Sequence, residues 1–274
     1  MCRLISLIGR DLPSYIEYID SFVKASKCDP YLMELLGRSE CEGHGDGWGY
    51  ALVGTRGSEL DTSIHYRTTL PVYYDLTGVN NLKSLIHDIN FGVLIAHSRR
   101  LAEGSARTGN THPIHYNWKG FDMWIAHNGV MDPNELSKVL GVPKLPDTTD
   151  TYYLGEYLYK HLTGVHAKDL VEALRRAVKY TKTAMNTLVI LYDDKRLVLS
   201  VTSYLTKDRL RNPLAVNYYK ILARESSTFY AFFSSSIARY IHSPDTVELP
   251  LQTAVVIELY PRTGQLSRSV YNLE

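Results

Sequence analysis

The order of strand-like and helix-like segments limits the folds open to this chain more than any other feature. Apolar or alternating segments typical of strands lie at 3–8, 48–53, 63–68, 92–97, 122–127, 187–192, 197–202, 218–224, 229–234, 253–260 and 265–271. Helical spacing of apolar residues falls after Pro13, at 80–90, from Thr148-Thr149-Asp150 to 162, and at 170–178. Strands, then helices, then strands predict an α+β fold with two stacked, mainly antiparallel sheets between helices, a four-layer αββα sandwich.

Local signals refine this prediction. Asp11 and Pro13 are typical of a helix start. Gly54-Thr55-Arg56-Gly57 and Asp193-Asp194-Lys195 indicate turns between paired strands. The dipeptide Asn128-Gly129 is a turn signal, so we expect the preceding strand to end there.

Length and charge exclude several classes of protein. The 274 residues can bury one large core, so we predict a single domain over 1–274, although the length also allows two. Thirty basic and 29 acidic residues give a net charge of +1, which favours neither nucleic acid nor an anionic membrane surface as a partner. The chain has no apolar run near the ~18 residues of a membrane-spanning helix and no signal-peptide core, so we predict a cytoplasmic protein.

The three cysteines, Cys2, Cys28 and Cys41, do not form the pattern of a disulfide framework or a zinc site. A Cys28–Cys41 bridge is conceivable but not favoured in a reducing compartment. Cys2 follows Met1 directly, so removal of Met1 would leave a thiol and a free α-amine on one residue. Their ordinary pKa values, near ~8.5 and ~7.7–8.0, would let the amine accept the thiol proton near neutral pH. The alternative is a small buried hydrophobe among apolar neighbours.

Four polar clusters fall where strands are predicted to end, which is where a rigid scaffold usually presents functional groups. They are Gly43-His44-Gly45-Asp46-Gly47-Trp48-Gly49, Ala96-His97-Ser98-Arg99-Arg100, Asn110-Thr111-His112-Pro113 and Ala126-His127-Asn128-Gly129. The first cluster is rich in glycine, but no Lys-Ser/Thr follows it, so a turn packing Trp48 is favoured over a nucleotide loop. The histidines lack the spacing of zinc ligands, so we expect no metal and no cofactor.

Taken together, the motifs resemble a known family. Six of them have the order and approximate spacing of class II glutamine amidotransferases, which are N-terminal nucleophile (Ntn) hydrolases: Met1-Cys2-Arg3-Leu4, Asp46-Gly47-Trp48-Gly49, Ala96-His97-Ser98-Arg99, Asn110-Thr111-His112-Pro113, Ala126-His127-Asn128-Gly129 and Thr149-Asp150-Thr151. The chain is most similar to the stand-alone branch that includes the γ-glutamyl amidohydrolase of ergothioneine biosynthesis. The resemblance covers residues 1 to about 160; beyond them, Ser234-Ser235-Ser236 loosely matches a serine-containing strand end of the family. It implies the Ntn-hydrolase fold.

The resemblance also implies roles for individual residues. Cys2 would be the nucleophile, with its own α-amine as base, and Asn128 and Gly129 would form the oxyanion hole. Arg99 would bind the substrate α-carboxylate and Asp150 the α-ammonium; the motif residues His112, His127 and Asp46 are grouped with these substrate-binding residues. Two alternatives stay open: Arg99 in a structural ion pair, and Asp150 as a charge complementing a helix dipole. Leu101-Ala102-Glu103-Gly104 departs from the loop of many ammonia-channelling members.

The expected reaction is hydrolysis of the side-chain amide of glutamine or of a γ-glutamyl amide through a Cys2 thioester, releasing glutamate and ammonia or an amine. One alternative is a glutaminase subunit that supplies ammonia to a separate synthase. Another is a catalytically silent protein that retains Met1 and binds a ligand or partner.

Overall fold

The computed structural model describes residues 2–10, 12–56, 62–101, 104–193, 195–242, 245–260 and 263–274. In chain order, its strands are β1 (Arg3–Arg10), β2 (Trp48–Thr55), β3 (Thr62–Thr68), β4 (Phe91–Ser98), β5 (Ile114–Tyr116), β6 (Asp122–Met131), β7 (Thr181–Asp193), β8 (Arg196–Ser203), β9 (Ile221–Glu225), β10 (Phe229–Ser234), β11 (Val247–Glu248), β12 (Thr253–Tyr260) and β13 (Gln265–Asn272). Its α-helices are α1 (Ile16–Lys27), α2 (Pro30–Leu36), α3 (Leu76–His87), α4 (Pro133–Leu140), α5 (Asp150–His161), α6 (Ala167–Ala177), α7 (Lys207–Leu210) and α8 (Pro213–Tyr219).

The strands form two antiparallel sheets. The first has seven strands in the order β11-β9-β10-β1-β4-β2-β3, and the second has six in the order β13-β12-β8-β7-β6-β5. The register sets Arg3 of β1 opposite Ser98 of β4, so the residue before β1 lies beside the chain that leaves β4. In the second sheet Asn128 of β6 lies opposite Asn186 of β7.

Three apolar layers hold the sheets and helices together. One lies between the two sheets and includes Leu4 and Ile8 of β1 with Ile190 of β7. The outer face of the first sheet, including Ile5 and Leu7, packs against α1 and α3, while the outer face of the second sheet packs against α4, α5 and α6. Strand β1 is covered on both faces, which explains why its sequence is a nearly continuous run of apolar residues. The αββα sandwich predicted from the sequence is confirmed.

Three local expectations are wrong. Strand β6 does not end at Asn128-Gly129 but continues to Met131 through an irregularity in its pairing with β7. Tyr218 belongs to α8 and not to a strand, because Asn212 caps this helix and Pro213 begins it. Cys28 and Cys41 are joined in a disulfide with a Cα–Cα distance of 5.3 Å, against the expectation of two separate thiols.

Several sequence predictions fall on Met1, Asp11, Gly57, Ala102, Glu103 and Asp194, which lie outside the described residues. Within the described part of the chain, no helix combines the length and apolar character needed to cross a membrane. The single domain over 1–274 and the cytoplasmic location stay predictions.

Candidate active site

The start of β1 is fixed by contacts from two other strands. Cys2 is only 6% exposed, and its backbone N–H donates to Asn128 Oδ1 at 2.8 Å. Its Sγ lies 3.7 Å from the carbonyl oxygen of Arg100. On β10, which pairs with β1, Ser234 Oγ accepts a hydrogen bond from the Leu4 N–H at 3.0 Å. The Cys2 thiol is therefore held where β1 meets β6, β10 and the chain that leaves β4.

The Asn128 side chain turns one polar atom toward Cys2 and leaves the other without a partner. While Oδ1 accepts from Cys2, the Nδ2 group is buried and has no hydrogen-bond partner among the described residues. Such an unused buried donor is unusual, because most buried polar groups are paired. It is free to bind an acceptor that enters beside the thiol.

Gly129 follows in a backbone conformation that favours glycine, with φ of 154°. A Cβ at this position would overlap the carbonyl oxygen of Ala184 on β7. Any other residue would therefore push the end of β6 away from its neighbour. Asn128-Gly129 is a constrained strand segment and not the turn that its sequence suggests.

Asp150, the first residue of α5, holds the end of β6. Its Oδ2 accepts from Met131 N at 2.6 Å, and its Oδ1 accepts from Thr151 N at 2.9 Å and from the Thr149 hydroxyl at 3.1 Å. The side chain is 5% exposed. The carboxylate thus stabilises the first turn of a helix, as expected for an acid at a helix N-terminus, and also fixes the strand end that carries Gly129.

Arg99 and Asp46 form the opposite wall. Arg99 is 3% exposed, and its Nη1 donates to the Ser105 carbonyl at 2.9 Å. Asp46 Oδ2 accepts from Leu101 N at 2.7 Å, so Asp46 fixes the chain that follows Arg99. Burial lowers the pKa of Arg99, while the nearby charges of Cys2, Asp46 and Asp150 raise it. A guanidinium stays charged in spite of such a shift, so a fixed cation faces these groups.

Three buried histidines form a cluster at β6, and one of them, His127, lies on this strand. His97 Nε2 lies 3.1 Å from His112 Nδ1, which also accepts from the His127 N–H at 3.4 Å. The two ring nitrogens of His127 lie 3.1 Å from Thr151 Oγ1 and 3.1 Å from the Ala184 carbonyl oxygen. His127 therefore supports β6 through protein contacts. No group of three or more His, Cys, Asp or Glu residues in the described ranges is arranged to hold a metal ion.

Acid is expected to destabilise the protein, because three buried histidines and the partly buried His65 stay neutral when the chain is folded. Burial lowers the pKa of His65 to about 4, and it lowers the pKa values of His97, His112 and His127 as well. Below their ordinary value of 6.5 the unfolded chain binds protons that the folded chain does not, so stability falls as the pH drops. Each such histidine removes up to about 1.4 kcal/mol per pH unit between its two pKa values.

Urea unfolding at a series of pH values between about 7.5 and 4.5 measures this effect. His65→Gln is the matched control, because glutamine can still donate to the Pro113 carbonyl, which His65 Nε2 approaches to 2.8 Å, but does not titrate. We expect a shallower loss of stability in this variant. An unfolding free energy that does not change between about pH 6.5 and 5 would contradict the assignment of neutral histidines in the folded protein.

The sequence patterns missed one group of residues beside Cys2. Arg3, Asp29 and His44 are completely buried on the outer side of the first sheet, where the Asp29 carboxylate contacts both of the other side chains. An arginine inside an otherwise apolar strand was the available signal, since a buried charge requires a partner. The partners come from separate segments, so their identity could not be read from the sequence.

Comparison with known proteins places this chain in a family. The family model described as "Glutamine amidotransferases class-II" matches residues 32–206, more than half of the chain. No curated protein sequence matches the chain. Among solved structures, the allosteric regulatory enzyme of purine biosynthesis matches with a TM-score of 0.61 and 12% identity, over 100% of this chain and 49% of that one.

A second solved structure shows the same fold. The glutamine phosphoribosylpyrophosphate amidotransferase from B. subtilis, in complex with ADP and GMP, matches with a TM-score of 0.59 and 11% identity. The match again covers 100% of this chain and 49% of that one, so the chain spans about half the length of these two proteins. The matched family model and the shared Ntn fold lead to one conclusion: this chain belongs to the class II glutamine amidotransferases.

Proposed function

We propose that this protein hydrolyses the side-chain amide of glutamine, or of a γ-glutamyl amide, through a thioester on Cys2. The observation that carries the proposal is the Asn128 amide. Its Oδ1 accepts from the Cys2 nitrogen, while its Nδ2 is a buried donor without a described partner. A donor fixed beside a nucleophile is what stabilises the oxyanion of an acyl-transfer reaction.

The proposed reaction begins once Met1 has been removed. The Cys2 α-amine takes the thiol proton, and the thiolate attacks the amide carbonyl. The new C–S bond gives a tetrahedral oxyanion, which accepts hydrogen bonds from Asn128 Nδ2 and from the Gly129 N–H. Cleavage of the C–N bond, with proton transfer from the α-ammonium, releases ammonia or an amine. Water, activated by the same amine, then hydrolyses the thioester to glutamate.

Two charged residues are proposed to hold the amino-acid end of the substrate. Arg99 offers a fixed guanidinium, which binds a carboxylate with two parallel hydrogen bonds. Asp150 would bind the α-ammonium through lone pairs that its backbone contacts leave available. Because Asp150 also holds Met131 N, substrate binding and the position of Gly129 would depend on one carboxylate. Asp46, His112 and His127 are proposed to support the same site.

The test is an assay of glutamate release from glutamine and from γ-glutamyl amides with larger amines. Intact-mass measurement first establishes whether Met1 has been removed. Protein that begins at Cys2 is expected to release glutamate and the amine in equal amounts, and alkylation of Cys2 by iodoacetamide is expected to stop the release. Faster release from glutamine than from every larger amide would favour an ammonia-supplying glutaminase.

Two results would count against the proposal. Protein that begins at Cys2 and releases no glutamate from any of these amides would exclude it. Retention of Met1 in protein isolated from its own host would instead favour a silent, ligand-binding member of the family, because the α-amine base would be absent.

A further inference from the structure

The residue after Cys2 is a buried arginine with contacts outside both sheets. Arg3 is 0% exposed, and its Nε contacts Asp29 Oδ2. Its Nη1 donates to the Tyr218 carbonyl at 3.0 Å, and the guanidinium lies 4.0 Å above the Tyr218 ring. Asp29 lies between α1 and α2, and Tyr218 lies on α8. The first strand is therefore tied through Arg3 to three helices.

Arg3 and Asp29 form an ionised pair beside a neutral histidine. Burial by itself would raise the pKa of Asp29, but the Arg3 charge and the His44 hydrogen bond of 2.8 Å hold it well below its usual value. Burial lowers the pKa of His44, so its ring is neutral at about pH 7. A completely buried ion pair is a weak source of stability, because an apolar pair of similar volume is often as stable or more stable. Stability alone therefore does not explain why Arg3 and Asp29 are paired here.

Asp29 is also connected, through Glu42, to Arg100, whose carbonyl oxygen lies beside the Cys2 thiol. Asp29 N donates to the Glu42 carbonyl at 2.8 Å, and Arg100 Nη1 donates to Glu42 Oε2 at 2.8 Å and to the Gly43 carbonyl at 3.0 Å. The carbonyl oxygen of Arg100 is the one found 3.7 Å from Cys2 Sγ. Asp29 and the segment from Glu42 to His44 thus contact both the residue that follows Cys2 and the residue beside its sulfur.

We propose that Arg3, held by Asp29 and His44, is a positioning residue that sets the place of the Cys2 thiol and amine relative to Asn128. This inference rests on the proposed function of Cys2. Asn128 anchors the Cys2 nitrogen, and Ser234 anchors the Leu4 nitrogen. The Arg3 side chain supplies a third anchor, on the face of β1 opposite to the Leu4 side chain. Loss of this anchor lets the thiol shift without removing any group that would touch the substrate.

The decisive variant is Arg3→Met/Asp29→Asn, which removes both charges together and leaves no unpaired buried ion. The asparagine that replaces Asp29 can still accept from Leu32 N at the start of α2, which Asp29 Oδ1 contacts at 3.2 Å. We expect kcat for glutamate release to fall by about tenfold to a hundredfold, because a displacement of about 1 Å at reacting groups costs that much. KM should change less than about threefold, since the groups proposed to bind the amino acid remain. Alkylation of Cys2 by iodoacetamide should slow as well.

Two further variants separate positioning from simple loss of stability. Arg3→Lys keeps the charge but not the planar fork, so it should fold and show an intermediate loss of kcat. Asp75→Asn is the matched control, because Asp75 Oδ2 accepts from Trp48 Nε1 at 2.9 Å and from Tyr66 at 2.7 Å, which lie on β2 and β3 and not on the first strand. It should lower the unfolding midpoint and leave kcat and Cys2 alkylation unchanged.

The inference is overturned if Arg3→Lys, or a folded Arg3→Met/Asp29→Asn protein, matches the wild type in both kcat and alkylation rate. If the wild-type protein releases no glutamate, the proposed function fails. The alkylation rates of Cys2 in the same variants then decide on Arg3 alone: slowing supports the anchor, and unchanged rates exclude it.

Discussion

Replacing Cys2 with alanine is expected to reduce glutamate release by a factor of about 10³ or more, because no other group can form the thioester. The change removes one sulfur atom from a buried position, and the alanine still carries an α-amine that can donate to Asn128 Oδ1. The variant should therefore fold and bind glutamine. Glutamate release and thermal unfolding, measured on the same preparations, give the two quantities needed.

The comparison is valid only if Met1 is removed from both proteins, which intact mass shows. Cys2→Ser is the conservative companion: its hydroxyl occupies the same place but is a weaker nucleophile, so its activity should be much lower than that of the wild type. A Cys2→Ala protein that retains more than about a tenth of the wild-type activity would exclude a thioester at this residue.

The sheets were predictable where local patterns decide the structure. Strand β12 has the predicted bounds, Thr253–Tyr260, and β1 follows from its apolar run. Short polar elements were harder. Asp29-Pro30 and Asp132-Pro133 begin α2 and α4, which no prediction included, although an acid before proline is an N-terminal helix signal.

Asn128-Gly129 shows why the site was harder to predict than the fold. Taken locally, the dipeptide favours a turn. In the structure, pairing with β7 and the hydrogen bond from Met131 N to Asp150 keep it extended. Both partners are distant in sequence, so tertiary contacts override the local preference. The contact between Cys2 and Asn128 spans 126 residues and could be inferred only from the order of the family motifs.

Exchange of Asn128 for aspartate, nearly identical in shape, tests the proposed oxyanion hole directly. One carboxylate oxygen can still accept from the Cys2 nitrogen, as Oδ1 does at 2.8 Å, so the nucleophile should stay in place. The second oxygen replaces the Nδ2 donor, which has no partner in the described part of the chain, with an acceptor that repels the developing oxyanion. We expect kcat to fall by about 10²–10³-fold, or about 2.7–4 kcal/mol of activation free energy, with little change in KM.

Asn186→Asp is the matched control, since Asn186 is the buried register partner of Asn128 on β7. Its Nδ2 already donates to the Tyr219 carbonyl, so the same exchange costs stability there without removing an unused donor. A similar loss of kcat in both variants would show that any buried carboxylate disrupts the site. A large loss of kcat in Asn128→Asp alone would show that the Asn128 Nδ2 group donates to the oxyanion in the transition state. The same amide would then have two roles: its Oδ1 positions the Cys2 nitrogen, and its Nδ2 stabilises the oxyanion that forms when Cys2 attacks.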